Sequence, residues 1–247
     1  MPEGDSLHRI AVRLRPLVGE RVEAWSPNPR GRATNVARAV DGRVLESVDA
    51  VGKHLLLGFE GGVAVRSHLR MTGRWRVRAR GGPAWRGLPW LVLRTSRWEA
   101  TQWNGPVLRL DDGRTRRLGP DLLADATTVE ELVARLRHAD PDRPLGEVLL
   151  DQQVVSGIGN VWLAELLWNS RLSPLLPVRQ ATDDELASAL GWGRDSMRAS
   201  VAGARAHRAV YRRAGRSCPR CGDTIMSRGI GEANRTAYWC ASCQRGP

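Results

Sequence analysis

Lysine is almost missing from this 247-residue chain: of 38 basic residues, Lys53 is the single lysine. No stretch approaches the roughly eighteen consecutive apolar residues of a membrane helix, and the start lacks the apolar core of a secretory signal. Cysteine is absent before position 218, which argues against a secreted, disulfide-stapled domain. There is no internal repeat, low-complexity tract or long disordered linker. Acidic residues are also in deficit, 26 against 38 basic ones, for a formal net charge of +12. Together these absences leave a soluble cytoplasmic protein with a polyanionic partner, of which nucleic acid is the commonest. A drift toward arginine explains the trend but not the survivor. A lysine is a compact point charge whose pKa can shift, which a guanidinium cannot supply. Lys53 is therefore a candidate for a chemical role, against the alternative of a chance remnant on a solvated strand end.

The pattern of the chain changes twice. Leu7, Ile10, Ala11, Leu14 and Leu17 recur at helical spacing, with Asp5 or Ser6 as cap and Val18-Gly19 as stop. From Arg21 to Leu110, short β-type runs are divided by glycine and proline: Val44 to Val48, His54 to Phe59, Val63 to His68, Trp75 to Arg78, Leu91 to Arg94 and Val107 to Leu110. That spacing predicts an antiparallel sandwich or barrel. Beyond Leu118-Gly119-Pro120-Asp121 the texture is helical. Thr127 and Thr128 precede Glu130 and Glu131 in capping-box spacing, Pro144 opens a second helix, Val161 to Asn169 is a third, and Thr182 opens a fourth that runs to about Ala204. From Arg205 onward nine arginines face one aspartate and one glutamate, a local net of +7. Positive charge is thus concentrated as a docking surface requires.

Four constellations carry chemistry. Cys218-Pro-Arg-Cys221 and Cys240-Ala-Ser-Cys243, with eighteen residues between them, can each form a knuckle with two thiolates and together close a tetrahedral site without an open position. That reads as a structural zinc, with a redox dithiol as the alternative. Between the pairs, Arg228 and Arg235 can face a phosphate or a groove, or simply solvent. Ser156-Gly157-Ile158-Gly159-Asn160 joins two helices, and a helix start after such a turn offers free amides to a phosphate, with Asn160 adding its side chain. A plain helical hairpin accounts for it equally. In His68-Leu69-Arg70-Met71-Thr72-Gly73 the methionine can be a wedge entering a base stack or a core filler. Finally, removal of Met1 would leave a secondary amine on Pro2 beside the carboxylate of Glu3. An α-amine has a pKa of roughly 7.7–8.0 and can attack a masked aldehyde to form an iminium. The alternative is that Met-Pro-Glu is merely how the chain begins.

These segments, with Gly52-Lys53-His54-Leu55, Leu118-Gly119-Pro120-Asp121-Leu122-Leu123, Leu150-Asp151-Gln152 and Tyr238-Trp239-Cys240, occur in an order that resembles the Fpg/Nei family of DNA glycosylases. The Pro-Glu-Gly start makes the chain most similar to the endonuclease VIII branch, in its actinobacterial form, from residue 2 to residue 244. The resemblance implies an α+β fold: an N-terminal β-sandwich catalytic domain with a flanking helix (1–122), a helix-two-turn-helix domain (123–208) and a four-cysteine zinc finger (209–247), with DNA in the cleft. It implies a monomeric bacterial enzyme of base excision repair, nucleoid-associated through binding damaged DNA, duplex or single-stranded, with no membrane partner. Oxidised bases, pyrimidines foremost, would be excised and the strand cut by β- and δ-elimination. By residue, Pro2 would be the nucleophile at C1′, Glu3 the assisting acid or base, and Lys53 the active-site lysine. Asn160 and Arg235 would clamp flanking phosphates, and His68 and Met71 would contact the backbone and fill the gap left by the flipped base. Cys218, Cys221, Cys240 and Cys243 would hold one structural zinc, and no catalytic metal is implied.

The chain departs from the pattern in three places. Ser6 stands where many relatives have glutamate, no Arg-Arg-Phe-Gly segment precedes Leu118, and Gly81 to Leu110, with Trp85, Trp90, Trp98 and Trp103, matches least. Lesion preference would depend partly on that last region. A non-catalytic module binding damaged or abasic DNA fits the same fold, and a zinc ribbon working on RNA fits the charge, but neither gives the N-terminal motif a role.

Overall fold

The computed structural model describes residues 2–205 and 208–246. Backbone contacts divide the chain into two units, Pro2 with Ser6–Arg116, and Glu3–Asp5 with residues 117–246.

Helix α1 (Gly4–Leu14), which belongs to the first unit from Ser6 onward, passes into a 3-10 turn (Arg15–Leu17) and ends at Gly19, whose φ of +83° a side chain would resist. Its apolar stripe, Leu7, Leu14 and Leu17, is buried. The helix begins earlier than its sequence suggests, so Asp5 and Ser6 lie within the first turn instead of capping it. Strand β1 (Glu23–Trp25) and two short helices follow, α2 (Pro29–Arg32) and α3 (Val36–Val40). Asn28 caps α2 by accepting from the Arg30 amide. The remaining strands are β2 (Leu45–Val51), β3 (His54–Phe59), β4 (Val63–His68), β5 (Arg74–Ala79), β6 (Leu91–Arg94), β7 (Trp98–Trp103) and β8 (Val107–Leu110). They form two antiparallel four-stranded sheets, ordered β2-β3-β4-β8 and β1-β6-β7-β5. Leu45, Leu55, Leu57 and Phe59 from one sheet and Leu91, Leu93 and Ala100 from the other share a core with α1 and α3. The alternation of β3, with Leu55, Leu57 and Phe59 inward, fixes its register, since a slip of one residue would turn all three to the other face. This is the expected sandwich, with β1, α2, α3 and β7 added.

In the second unit, α4 (Val129–Arg137) is capped by Thr128, which accepts from the Glu131 amide. Pro144 stands just before α5 (Leu145–Leu150), and α6 (Asn160–Asn169) begins directly after the glycine turn. Helix α7 (Asp183–Val201) opens with a reciprocal capping box between Thr182 and Glu185. Helix α6 is buried around its whole circumference from Val161 to Leu167. A helix apolar on every side belongs at the centre of its unit, and α4, α5 and α7 contribute with it to one core. The chain finishes in an antiparallel hairpin of β9 (Ile225–Ile230) and β10 (Arg235–Cys240). Among the described residues, no helix is long and apolar enough to cross a membrane.

Candidate active site and nucleic-acid interface

Two of the motifs meet in the second unit, and their glycines explain how. The amide of Gly4 donates to the carbonyl of Gly157 at 2.9 Å. A side chain on Gly4 would put its Cβ 2.9 Å from the Gly157 Cα, and Gly157 itself has a φ of +102°. A Cβ on Gly159 would sit 2.3 Å from the Glu3 carboxyl carbon. Both close approaches therefore require glycine.

Into the space so opened goes Glu3, 1 % exposed. Its carboxylate accepts from the amides of Gly159 at 3.1 Å, Val161 at 2.9 Å and Trp162 at 3.1 Å. The first amides of a helix have no intrahelical acceptor, and the helix dipole favours an anion there. From sequence those amides are available to a phosphate; in the structure they hold an anion supplied by the protein. Gln152 fixes the turn from beneath, donating to the carbonyls of Leu150 and Ile158 and accepting from the Gly157 amide. Asp5 accepts from the Ser200 hydroxyl at 2.7 Å. Pro2, half-buried, is thus one peptide bond from a side chain that cannot wander.

Asn160 donates from its side-chain amide to the carbonyl of Thr236 at 3.3 Å. This joins the glycine turn to the hairpin carrying Arg235, whose own side chain is exposed. A second buried carboxylate supports the hairpin's base: Glu165, 3 % exposed, accepts from the amides of Ala209, Val210 and Tyr211 at 2.7–3.1 Å. Val161 and Ala164 pack with Val210, Tyr211, Cys218, Ile225 and Cys240. The Arg220 guanidinium lies 4.0 Å from the Trp168 ring centre and donates to the Trp168 carbonyl.

The four cysteine sulfurs lie within 4.8 Å of one another, with Cys218 to Cys243 at 3.9 Å and Cys221 to Cys240 at 3.5 Å. A disulfide needs about 2.05 Å, whereas four thiolates at about 2.3 Å from a tetrahedral metal stand roughly 3.8 Å apart. The spacing and donor set fit a closed, four-sulfur metal site.

In the first unit, Gly52-Lys53 is the tight turn between β2 and β3, with Gly52 at a φ of +58°. His54 opens β3 and His68 closes β4, so both stand at the same end of one sheet as Lys53. Their rings meet edge to face at 4.8 Å. Nδ1 of His68 accepts from the Arg70 amide at 3.0 Å, which leaves Nε2 as the donor of a neutral ring. Burial pushes the pKa of His68 down to about 4, helped by the positive charges of Arg70, Lys53 and Arg66. His54 is likewise lowered to about 4 by burial, then by His68 and Arg66. Both rings are neutral at physiological pH. Beyond His68 the chain turns at Arg70 and exposes Met71 to 65 %, the most exposed of the molecule's large apolar side chains among the described residues. The hydroxyl of Thr72 donates to the Asn104 carbonyl and ties this loop to the turn after β7.

Sequence reasoning missed Glu165, Gln152 and His54. For Glu165 there was a signal, a lone carboxylate within the apolar run Val161 to Trp168. Gln152 and His54 lie inside recognised motifs, Leu150-Asp151-Gln152 and Gly52-Lys53-His54-Leu55, but nothing in the sequence assigned either a role of its own. Met1 lies outside the described residues.

The model of the formamidopyrimidine-DNA glycosylase N-terminal domain matches residues 1–119, and that of the same enzyme's H2TH domain matches residues 118–209. Among curated proteins, probable endonuclease 8 2 of Streptomyces coelicolor is 38 % identical, the match covering 100 % of this chain and 95 % of that protein. Endonuclease 8 1 of Mycobacterium tuberculosis is 33 % identical, over 99 % of this chain and 100 % of the relative. Among solved structures, Lactococcus lactis formamidopyrimidine-DNA glycosylase bound to DNA containing an abasic site superposes with a TM-score of 0.79 at 20 % identity, covering 99 % of this chain and 100 % of that one. The chain belongs to the formamidopyrimidine-DNA glycosylase and endonuclease 8 family, whose members are DNA glycosylases with abasic-site lyase activity.

Proposed function

We propose that this base-excision-repair enzyme works through the amine of Pro2 once Met1 is removed. The amine attacks C1′ of an oxidised nucleotide, pyrimidines foremost, and the glycosidic bond breaks with a proton delivered toward the departing base. Glu3 assists base loss and opening of the sugar ring. The resulting iminium makes the C2′ hydrogen acidic; its loss expels the 3′ phosphate, and a second elimination expels the 5′ phosphate. Lys53 faces the sugar and its phosphate. His68, as a neutral donor, takes a backbone phosphate, while Met71 fills the space of the flipped base, whose extrusion costs a few kcal/mol. Asn160 and Arg235 hold the flanking phosphates. The four thiolates are the ligand set of a structural zinc that shapes the hairpin and takes no part in the chemistry.

The observation that carries this reading is the seat of Glu3. Three backbone amides and two obligatory glycines fix one residue, and its preceding neighbour is the only residue type with a secondary amine. Positional precision of this kind is what covalent catalysis demands. Borohydride reduction in the presence of abasic duplex should give a stable protein–DNA adduct. Retaining Met1, or adding residues ahead of Pro2, should abolish the adduct while leaving salt-sensitive DNA binding in place. An adduct that survives the blocked amine would assign the nucleophile elsewhere.

A further inference from the structure

The tryptophan-rich stretch that matches the family pattern least builds a pocket of its own. Residues 80–90 cover one face of the sheet β1-β6-β7-β5, and beneath them lies a cavity of about 610 Å³ whose walls include Trp25, Arg78, Arg80, Trp85, Arg94 and Glu99. His54 and His68 belong to the other sheet, and Lys53 to the turn between two of its strands. Nothing in the proposed chemistry uses this cavity.

Glu99, 4 % exposed, organises it. Oε1 accepts from Arg78 Nε at 3.1 Å, Arg78 Nη2 at 2.6 Å and Trp85 Nε1 at 2.5 Å. Oε2 accepts from Arg94 Nε at 3.0 Å and Nη2 at 2.8 Å. The Arg78 guanidinium stacks 3.6 Å from the Trp85 ring centre, and that of Arg94 lies 4.4 Å from the Trp25 ring centre. One buried carboxylate thereby gathers two arginines and, through them, two indoles.

What the network leaves over is positive. Three arginines against one glutamate give the lining a net of +2. Arg80 Nη2 and Arg94 Nη1 converge on one place, the carboxylate of Glu23, at 3.8 and 3.9 Å. Both distances exceed a hydrogen bond, and the Glu23 side chain is 61 % exposed. Glu23 is a loosely held anion at a point two guanidinium groups address. The volume lies within the range of small-molecule sites.

We infer that this pocket takes a nucleoside monophosphate, its base against the Trp25, Trp85 and guanidinium planes and its phosphate displacing Glu23 between Arg80 and Arg94. Bases stack on indole rings and on arginine planes irrespective of sequence, and a phosphate satisfies paired guanidinium donors better than a distant carboxylate does. A free nucleotide and the terminal nucleotide of a strand share this chemistry.

The test titrates thymidine 5′-monophosphate into the full-length protein, with thymidine and inorganic phosphate as partial probes. Saturable binding of the monophosphate is expected, with each fragment weaker by about tenfold or more. Arg80→Ala should weaken it about tenfold, and Glu23→Gln should strengthen it by about threefold, by removing the internal competitor. Neither exposed change should alter cleavage of abasic duplex, which separates this site from the reading above. A 5′-phosphorylated tetrathymidylate that binds more tightly than the mononucleotide, with the same dependence on Arg80, identifies the strand end as the source; the reverse order identifies the free nucleotide. No saturable binding to either wild type or Glu23→Gln, or binding indifferent to Arg80→Ala, overturns the inference.

Discussion

Glu3, seated on the first amides of α6, and Glu165, within α6, are held by backbone amides, whereas Glu99 on β7 is held by the side chains of Arg78, Arg94 and Trp85. All three are buried and their charges answered, but the answers differ in what they permit. An amide at a helix start cannot turn away, so a main-chain seat fixes the carboxylate and whatever is covalently next to it. Arg78 and Arg94 are 22 % and 32 % exposed and can carry their charge to solvent if the partner leaves. The first arrangement suits a nucleophile that must not move. The second suits a pocket whose walls adapt to an occupant.

Glu165→Ala probes this contrast with the largest expected effect. Three buried amides lose their acceptor, and an orphaned buried donor costs about 1–3 kcal/mol, so after partial relaxation a loss of about 4 kcal/mol is expected in urea unfolding. Amide exchange at Ala209, Val210 and Tyr211 should accelerate with it. A loss below about 1 kcal/mol would mean that these amides find other acceptors and that main-chain seats are no firmer than side-chain ones. Gly159→Ala tests the same rigidity through activity. Its Cβ would meet Glu3 at 2.3–2.7 Å, short of ordinary contact by about 1 Å, and pushing Glu3 aside by that much costs about a hundredfold in rate. Gly191→Ala on α7 is the control. Nothing lies within 4 Å of its Cβ, so helix propensity alone applies and stability should rise by about 0.5–1 kcal/mol with cleavage unchanged.

The two regions also differ in how much of them the sequence announces. The Glu3 seat leaves glycines behind: Gly4, Gly157 and Gly159 sit where backbone or carboxylate must approach closely, and the motifs that contain them are visible in the bare sequence. The sandwich is legible for a related reason, since β3 and β4 alternate or run apolar. Strand β7 is not, because Trp98-Glu99-Ala100-Thr101-Gln102-Trp103 is buried from Glu99 onward. One face meets the core and the other meets the 80–90 loop, and polar residues are tolerated there because Arg78, Arg94 and Trp85 satisfy Glu99, while Thr101 accepts from the Trp103 indole. A strand buried on both faces and polar within defeats a reading based on period-two alternation. The use of the α6 amides was equally hidden. Composition shows that a helix start can hold an anion, but only the fold shows that the anion is Glu3.

Of the two carboxylate variants the smaller loss belongs to Glu99→Ala, and its pH dependence sharpens the comparison. Burial raises the Glu99 carboxyl's pKa, but hydrogen bonds from Arg94, Arg78 and Trp85 outweigh it and hold the group below the usual carboxylate value of 4.5. A carboxyl with a depressed folded pKa contributes stability that is complete above the ordinary pKa and lost as pH falls through the folded one. The variant should therefore be less stable than wild type by about 2 kcal/mol at pH 7, about half the loss at Glu165, because its arginines reach water while the Ala209 to Tyr211 amides cannot. Below pH 4.5 the two proteins should converge as the wild-type carboxyl protonates. Urea unfolding at pH 7, 5 and 3.5 measures both. A deficit at pH 7 equal to that of Glu165→Ala would show Arg78 and Arg94 to be as immobile as main chain, and the pocket around Glu99 would then be a rigid mould instead of an adaptable one.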